Sequence, residues 1–179
     1  MFIFFLIVSI LFFTPSIAHA DQYESIRTLP EIKVSVERNI ENTSVHFHAR
    51  NNEDISTMIT LVENSIKILP KFFENSSSQA CRDLEIHIYE IPRSILNDRS
   101  IMSFLNWRSW NDQDILGSYD STYHPNGIGF IFVTRDRGQQ VLKDTIVHEI
   151  AHYWQDSRCI ALTEESAYRF EQYYESVFN

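Results

Sequence analysis

The spacing of apolar residues divides the chain into a leader followed by interleaved strands and helices. Phe2 to Phe13 is apolar except for Ser9, Thr14-Pro15-Ser16 breaks the run, and Ala18-His19-Ala20 has the small-x-small form of a cleavage site. A run of about 12 apolar residues falls short of the roughly 20 needed to cross a bilayer. Residues 1–20 therefore read as a signal peptide cut after Ala20, and residues 21–179 as one exported domain, secreted or periplasmic. An uncleaved N-terminal anchor is the alternative, since no Lys or Arg precedes the apolar run.

Beyond the leader, alternation predicts strands at Ile32-Val34-Val36, at Val45-Phe47-Ala49 with His46 and His48 on the other face, and at Leu84-Ile86-Ile88. The apolar run Ile128 to Val133 predicts a fourth strand, and Tyr119 to Tyr123 a short one. Ile55, Ile59, Val62, Ile66 and Leu69 recur at helical spacing, which predicts a helix over about 54–73. A weaker helical pattern covers 93–110, and strong ones cover 141–156 and 163–178. This mixed order predicts an α+β fold with a small mixed or antiparallel sheet, ending in two helices.

Composition narrows the function. Among 179 residues, 15 are basic and 24 acidic, for a formal charge of −9, and no basic run occurs. That balance argues against nucleic acid and against anionic membrane surfaces as partners. With 4 glycines and no GxGxxG or Walker-type loop, a phosphate-cradling loop is also excluded. The two cysteines, Cys81 and Cys159, are expected to form a disulfide in an exported chain. Nothing in the pattern speaks to oligomeric state.

The chemistry lies in His148-Glu149-Ile150-Ala151-His152, an HExxH motif inside the predicted 141–156 helix. Residues four apart share a helix face, so the two imidazoles can bind one Zn²⁺. Glu149 then lies beside the metal rather than on it, placed to take a proton from an activated water and pass it to a leaving amine. A catalytic zinc takes a third protein ligand and keeps one open position. Thr163-Glu164-Glu165 opens the next helix, with Thr163 as its N-cap. Two acids in a first turn also suit the helix dipole, which is the bland explanation for both. As the ligand, Glu164 is favoured, at the edge of the packed face formed by Ala167, Phe170, Tyr174 and Val177, whereas Glu165 points toward solvent.

HEIAH followed by a helix carrying Glu164-x-x-Ala167 resembles the gluzincin branch of the zincin metallopeptidases, over about 128–178. The resemblance implies a zincin-like domain with an HExxH helix and a C-terminal ligand-bearing helix. It implies Zn²⁺ held by His148, His152 and Glu164, with Glu149 as general base hydrolysing a peptide or protein substrate. Only eleven residues separate His152 from Glu164, fewer than in large members, so the chain looks like a minimal one. The alternative is a catalytically silent zincin-like binding or inhibitory module. The upstream strand Ile128 to Val133 is expected to pair with an extended substrate. Tyr168, one turn after Glu164, is the first candidate for an oxyanion donor and His124 the second. Gln155 and Glu171 are candidates for orienting the ligands. His46, His48 and His87 read as surface or packing residues, and Trp107, Trp110 and Trp154 as core or cleft walls.

Overall fold

The structure is a computed structural model that describes residues 26, 28–74, 85–98, 116–120 and 128–178. The leader expected at 1–20, Cys81, His124, Trp107 and Trp110 lie outside the described residues. So do most of the helix expected over 93–110 and the end of the strand expected over 119–123.

Among the described residues, five strands make one mixed sheet: β1 (Val34–Ile40), β2 (Thr43–Ala49), β3 (Glu85–Glu90), β4 (Gly117–Asp120) and β5 (Ile128–Val133). Their order across the sheet is β1-β2-β3-β5-β4. β1 and β2 form a tight antiparallel hairpin, with Ile40 opposite Thr43 and Glu41 at φ 55 in the turn. β2–β3 and β3–β5 are parallel, and β4 returns antiparallel to β5. The described helices are α1 (Asn52–Phe72), a single turn α2 (Arg93–Leu96), α3 (Gln139–Ser157) and α4 (Glu164–Phe178). The fold is thus α+β with a mixed sheet. No described helix is long and apolar enough to cross a membrane.

Alternation along the strands assigns the two faces of the sheet. Val45, Phe47, Ala49, Ile86, Ile88, Ile131 and Val133 share a core with residues of α1, α3 and α4. The opposite face carries Tyr89, Phe130 and Phe132, which pack with Ile26, Ile91 and Leu96. α1 starts where Asn51 accepts a hydrogen bond from the Asp54 N–H at 2.9 Å, a cap of the kind that stabilises by about 1 kcal/mol. At the C-terminal ends of the parallel strands, Arg50 donates twice to the buried Glu90 carboxylate, and Arg135 pairs with the fully buried Asp54. These pairs tie β2, α1, β3 and the segment after β5 together.

α3 is the central helix. Leu142, Ile146, Ile150 and Tyr153 are buried, as their spacing predicts, and Val147, Ala151 and Trp154 are buried as well. The helix is therefore enclosed nearly all round, with α1, α4, β4 and β5 as neighbours. On α4, Ala167, Phe170 and Tyr174 are buried, but Val177 is 46% exposed in the last turn. The face predicted from Ala167 to Val177 thus loses its final member, because the helix runs past the core it packs on.

Candidate metal centre

α3 and α4 meet at a cluster of three side chains. His148 Nε2 lies 3.1 Å from His152 Nε2 and 3.0 Å from Glu164 Oε2, and His152 Nε2 lies 3.4 Å from Glu164 Oε1. Ligands of a tetrahedral zinc at 2.0–2.1 Å are separated by about 3.3 Å, so the three side chains already stand at ligand spacing. Of the two acids in the first turn of α4, Glu164 reaches the histidines and Glu165 stays exposed. The Glu164 side chain is itself 71% exposed, so the cluster opens to solvent on that side.

The far nitrogen of each imidazole is held. His148 Nδ1 donates to Glu171 Oε1 at 2.5 Å, and His152 Nδ1 donates to Gln155 Oε1 at 3.2 Å. Gln155 is oriented in turn because its Nε2 donates to Ala161 O at 3.2 Å. With Nδ1 of both rings committed to donation, Nε2 of each neutral ring can present its lone pair to a cation beside the Glu164 carboxylate. Two imidazole nitrogens and one carboxylate at this spacing are a donor set that fits a zinc-class ion.

Helix ends explain how an eleven-residue spacing suffices. α3 stops in a Schellman arrangement: Cys159 N–H donates to Asp156 O at 2.9 Å and Ile160 N–H to Gln155 O at 2.8 Å. Cys159 takes the left-handed position at φ 54 and is disulfide-bonded. The chain reverses there, and Thr163 Oγ1 accepts from the Ser166 N–H at 3.4 Å as α4 begins. This tight reversal returns Glu164 to His148, one residue after the capping Thr163.

Glu149 is 7% exposed and points to β4, where the Tyr119 backbone N–H donates to its carboxylate. Burial pushes its pKa up to about 8, with Glu164 and Glu171 adding to the rise; His148 and the Tyr119 N–H oppose it. Burial alone would lower His148, but the Glu171 hydrogen bond and the surrounding carboxylates raise it. His152 is lowered, first by burial and then by the neighbouring His148. Gly117 makes this arrangement possible. A Cβ there would run into Thr145 Cγ2 and sit 3.0 Å from Glu149 Oε1, so only glycine lets β4 lie this close to α3. Tyr119 fastens the strand a second time, donating its hydroxyl to Asp156 Oδ2 at 2.8 Å.

Other expectations fare unevenly. Tyr168 is 57% exposed, with its ring edge-on to His148 at 4.8 Å between centroids. It thus stands beside the cluster, and no described contact aims its hydroxyl at it. Ile128–Val133 does not offer an edge for a substrate. It lies between β3 and β4, with both sides paired, and β4 occupies the end of the sheet order instead. The apolar character that marked Ile128–Val133 as a strand is the mark of an interior one. Trp154 is buried at 8% exposure, with the Arg158 guanidinium 3.6 Å over its ring. His46, His48 and His87 do pack, as rings stacked on one another and on Tyr89 and Phe130. They gather with Glu85 on the sheet face away from α3. Their spacing on alternate positions was visible, but the parallel register that joins the two strands was not.

No family model, curated protein or solved structure matches this chain.

Proposed function

We propose that the chain is an exported zinc metallopeptidase of gluzincin type, with His148, His152 and Glu164 as ligands and Glu149 as general base. The observation that carries this reading is the convergence of two imidazole Nε2 atoms and one carboxylate at 3.0–3.4 Å, with a buried carboxylate on the next residue. A zinc ion held there would supply a polarised water and a Lewis acid for the scissile carbonyl.

The chain's own residues divide the remaining work. Glu171 and Gln155 hold the two imidazoles in the tautomer that turns Nε2 toward the ligand position. The desolvated pocket around Glu149 favours its protonated form, so a proton taken from water is retained there until a leaving amine accepts it. β4, as the last strand of the sheet order and fastened to α3 at Glu149 and Asp156, is the strand beside the site on which an extended peptide would lie. This replaces Ile128–Val133 in that role. Tyr168, at the rim beside His148, remains the candidate oxyanion donor.

The decisive experiment combines metal analysis with a peptide-library digest. The purified protein is expected to hold a zinc at this cluster that His148→Ala removes, and to cleave peptides. Glu149→Gln is expected to keep this zinc and lose cleavage. Zinc retention with no cleavage by the unaltered protein would favour the silent binding module. Absence of zinc from the His148, His152 and Glu164 cluster would overturn the reading.

A further inference from the structure

The opposite face of the sheet carries a second cluster. Alternation places Glu85 and His87 on one face of β3 and His46 and His48 on the same face of β2. The parallel register sets His46 opposite His87. The two imidazoles stack with centroids 4.4 Å apart and planes within 4°. Both Nε2 atoms lie 2.8 Å from the same oxygen, Glu85 Oε1. We propose that His46, Glu85 and His87 form a second binding site for a divalent cation of the zinc class, on the sheet face away from the HExxH helix.

Three features support it. The potential ligand atoms all lie within 4.8 Å of one another. Two imidazoles and a carboxylate suit zinc, cobalt or nickel and do not suit calcium or magnesium, which require oxygen. Access is graded: the His87 side chain is 8% exposed, His46 21% and Glu85 40%, so the cluster is anchored on a buried ring and open at its carboxylate.

An outer layer completes the site. His87 Nδ1 lies 3.3 Å from His48 Nε2, and His48 Nδ1 lies 2.8 Å from Ser35 Oγ. Without an ion, this row satisfies itself in one direction: Ser35 donates to His48, His48 to His87, and His87 Nε2–H to Glu85. When a cation takes His87 Nε2, the ring proton belongs on Nδ1, and the row runs the other way: His87 donates to His48, and His48 to the Ser35 oxygen. The serine hydroxyl serves as donor or acceptor, so each polar group of the row keeps a partner in either state and no net proton is released by the tautomer change. Metal-ligating histidines are usually held through the other ring nitrogen in this way. Across β1, Glu37 pairs in register with His46 and is tied to Ser44 at 3.4 Å, adding negative charge beside the site.

The test is a zinc titration by calorimetry on metal-free protein, in unaltered form and as His148→Ala/His152→Ala, with His46→Ala or Glu85→Gln added. The double variant is expected to bind one zinc, and either addition to weaken that binding at least about 10-fold. The ring resonances of His46 and His87 are expected to shift on zinc addition in both backgrounds. Glu85→Gln is isosteric and half-exposed, so it keeps the fold if His46→Ala does not. No zinc bound by the double variant, or binding unchanged by both additions, would overturn the site. If the unaltered protein binds a single zinc that survives loss of His148 and His152 but not of His46, this inference stands and the metallopeptidase reading falls.

Discussion

Gly117→Ala probes the packing that seats Glu149. The new methyl would overlap Thr145 Cγ2 and approach Glu149 Oε1 to 3.0 Å and Cγ to 3.3 Å, whereas carbon atoms in comfortable contact are 3.5–4.0 Å apart. β4 must therefore back away from α3. Overpacking of this kind costs about 1–3 kcal/mol, and the stretched Tyr119 N–H bond to Glu149 adds about 1 kcal/mol. The smaller entropy of the unfolded alanine chain returns about 0.4–1 kcal/mol. The net expectation is a loss of about 1–3 kcal/mol, or roughly 3–10 °C in melting temperature for a domain of this size. Thr145→Ser deletes the methyl that the new side chain strikes. Alone it costs under about 1 kcal/mol, and together with Gly117→Ala it is expected to restore at least about 1 kcal/mol through coupling. Thr145→Val keeps a methyl in place and is expected not to rescue. Urea unfolding of metal-free protein, followed by circular dichroism, reads all of these variants. A Gly117→Ala protein within about 0.5 kcal/mol of the parent, or a Thr145→Ser effect that is merely additive, would refute the close approach of β4 to the helix.

Three further expectations follow from the same site. Glu149 is held near pKa 8 against an ordinary value of 4.5, so the folded state binds its proton more tightly than the unfolded chain. Metal-free stability should then fall as pH rises from about 5 to 8, and Glu149→Gln should exceed the parent by up to about 3 kcal/mol at pH 7; superimposable pH–stability curves for the two would contradict this. Glu171→Ala and Gln155→Ala each remove the partner of one Nδ1 and are expected to weaken zinc binding about 10–100-fold in competition with a chelator, with the melting profile of the metal-free protein little changed. Cys159→Ser is expected to lower stability by about 2–5 kcal/mol. Cys159→Gly should recover about 1 kcal/mol of that, because glycine suits the φ 54 position; equal losses would show that the left-handed turn adds no strain.

Local spacing sufficed for the three long helices, for most of the strands and for half of the centre, while the expected strands at 32–36 and 119–123 lie at Val34–Ile40 and Gly117–Asp120. The four-residue step from His148 to His152 lies on one helix, so their common face follows from helix geometry alone. Burial of Leu142, Ile146, Ile150 and Tyr153 follows from the same period. The strands at 45–49, 86–88 and 128–133 announced themselves through alternation or apolar runs, because each has one face or both in the core.

Contacts between elements distant in sequence are another matter. The helix face favoured Glu164 over Glu165, but its meeting with His148 and His152 depends on the reversal at Cys159 that brings α4 back against α3. Glu171 meets His148 from across the α3–α4 contact, 23 residues away. The place of Ile128–Val133 inside the sheet, and of β4 at its end, depends on strand order, which alternation does not encode. His46 and His87 stack because β2 and β3 pair in parallel in one register among several, and a slip of one residue would send them to opposite faces. Which side chains share a helix or strand face is therefore written in the residue order, since it depends on a fixed local period. Which faces then meet is written only in the folded chain, since packing and register over the whole core settle it.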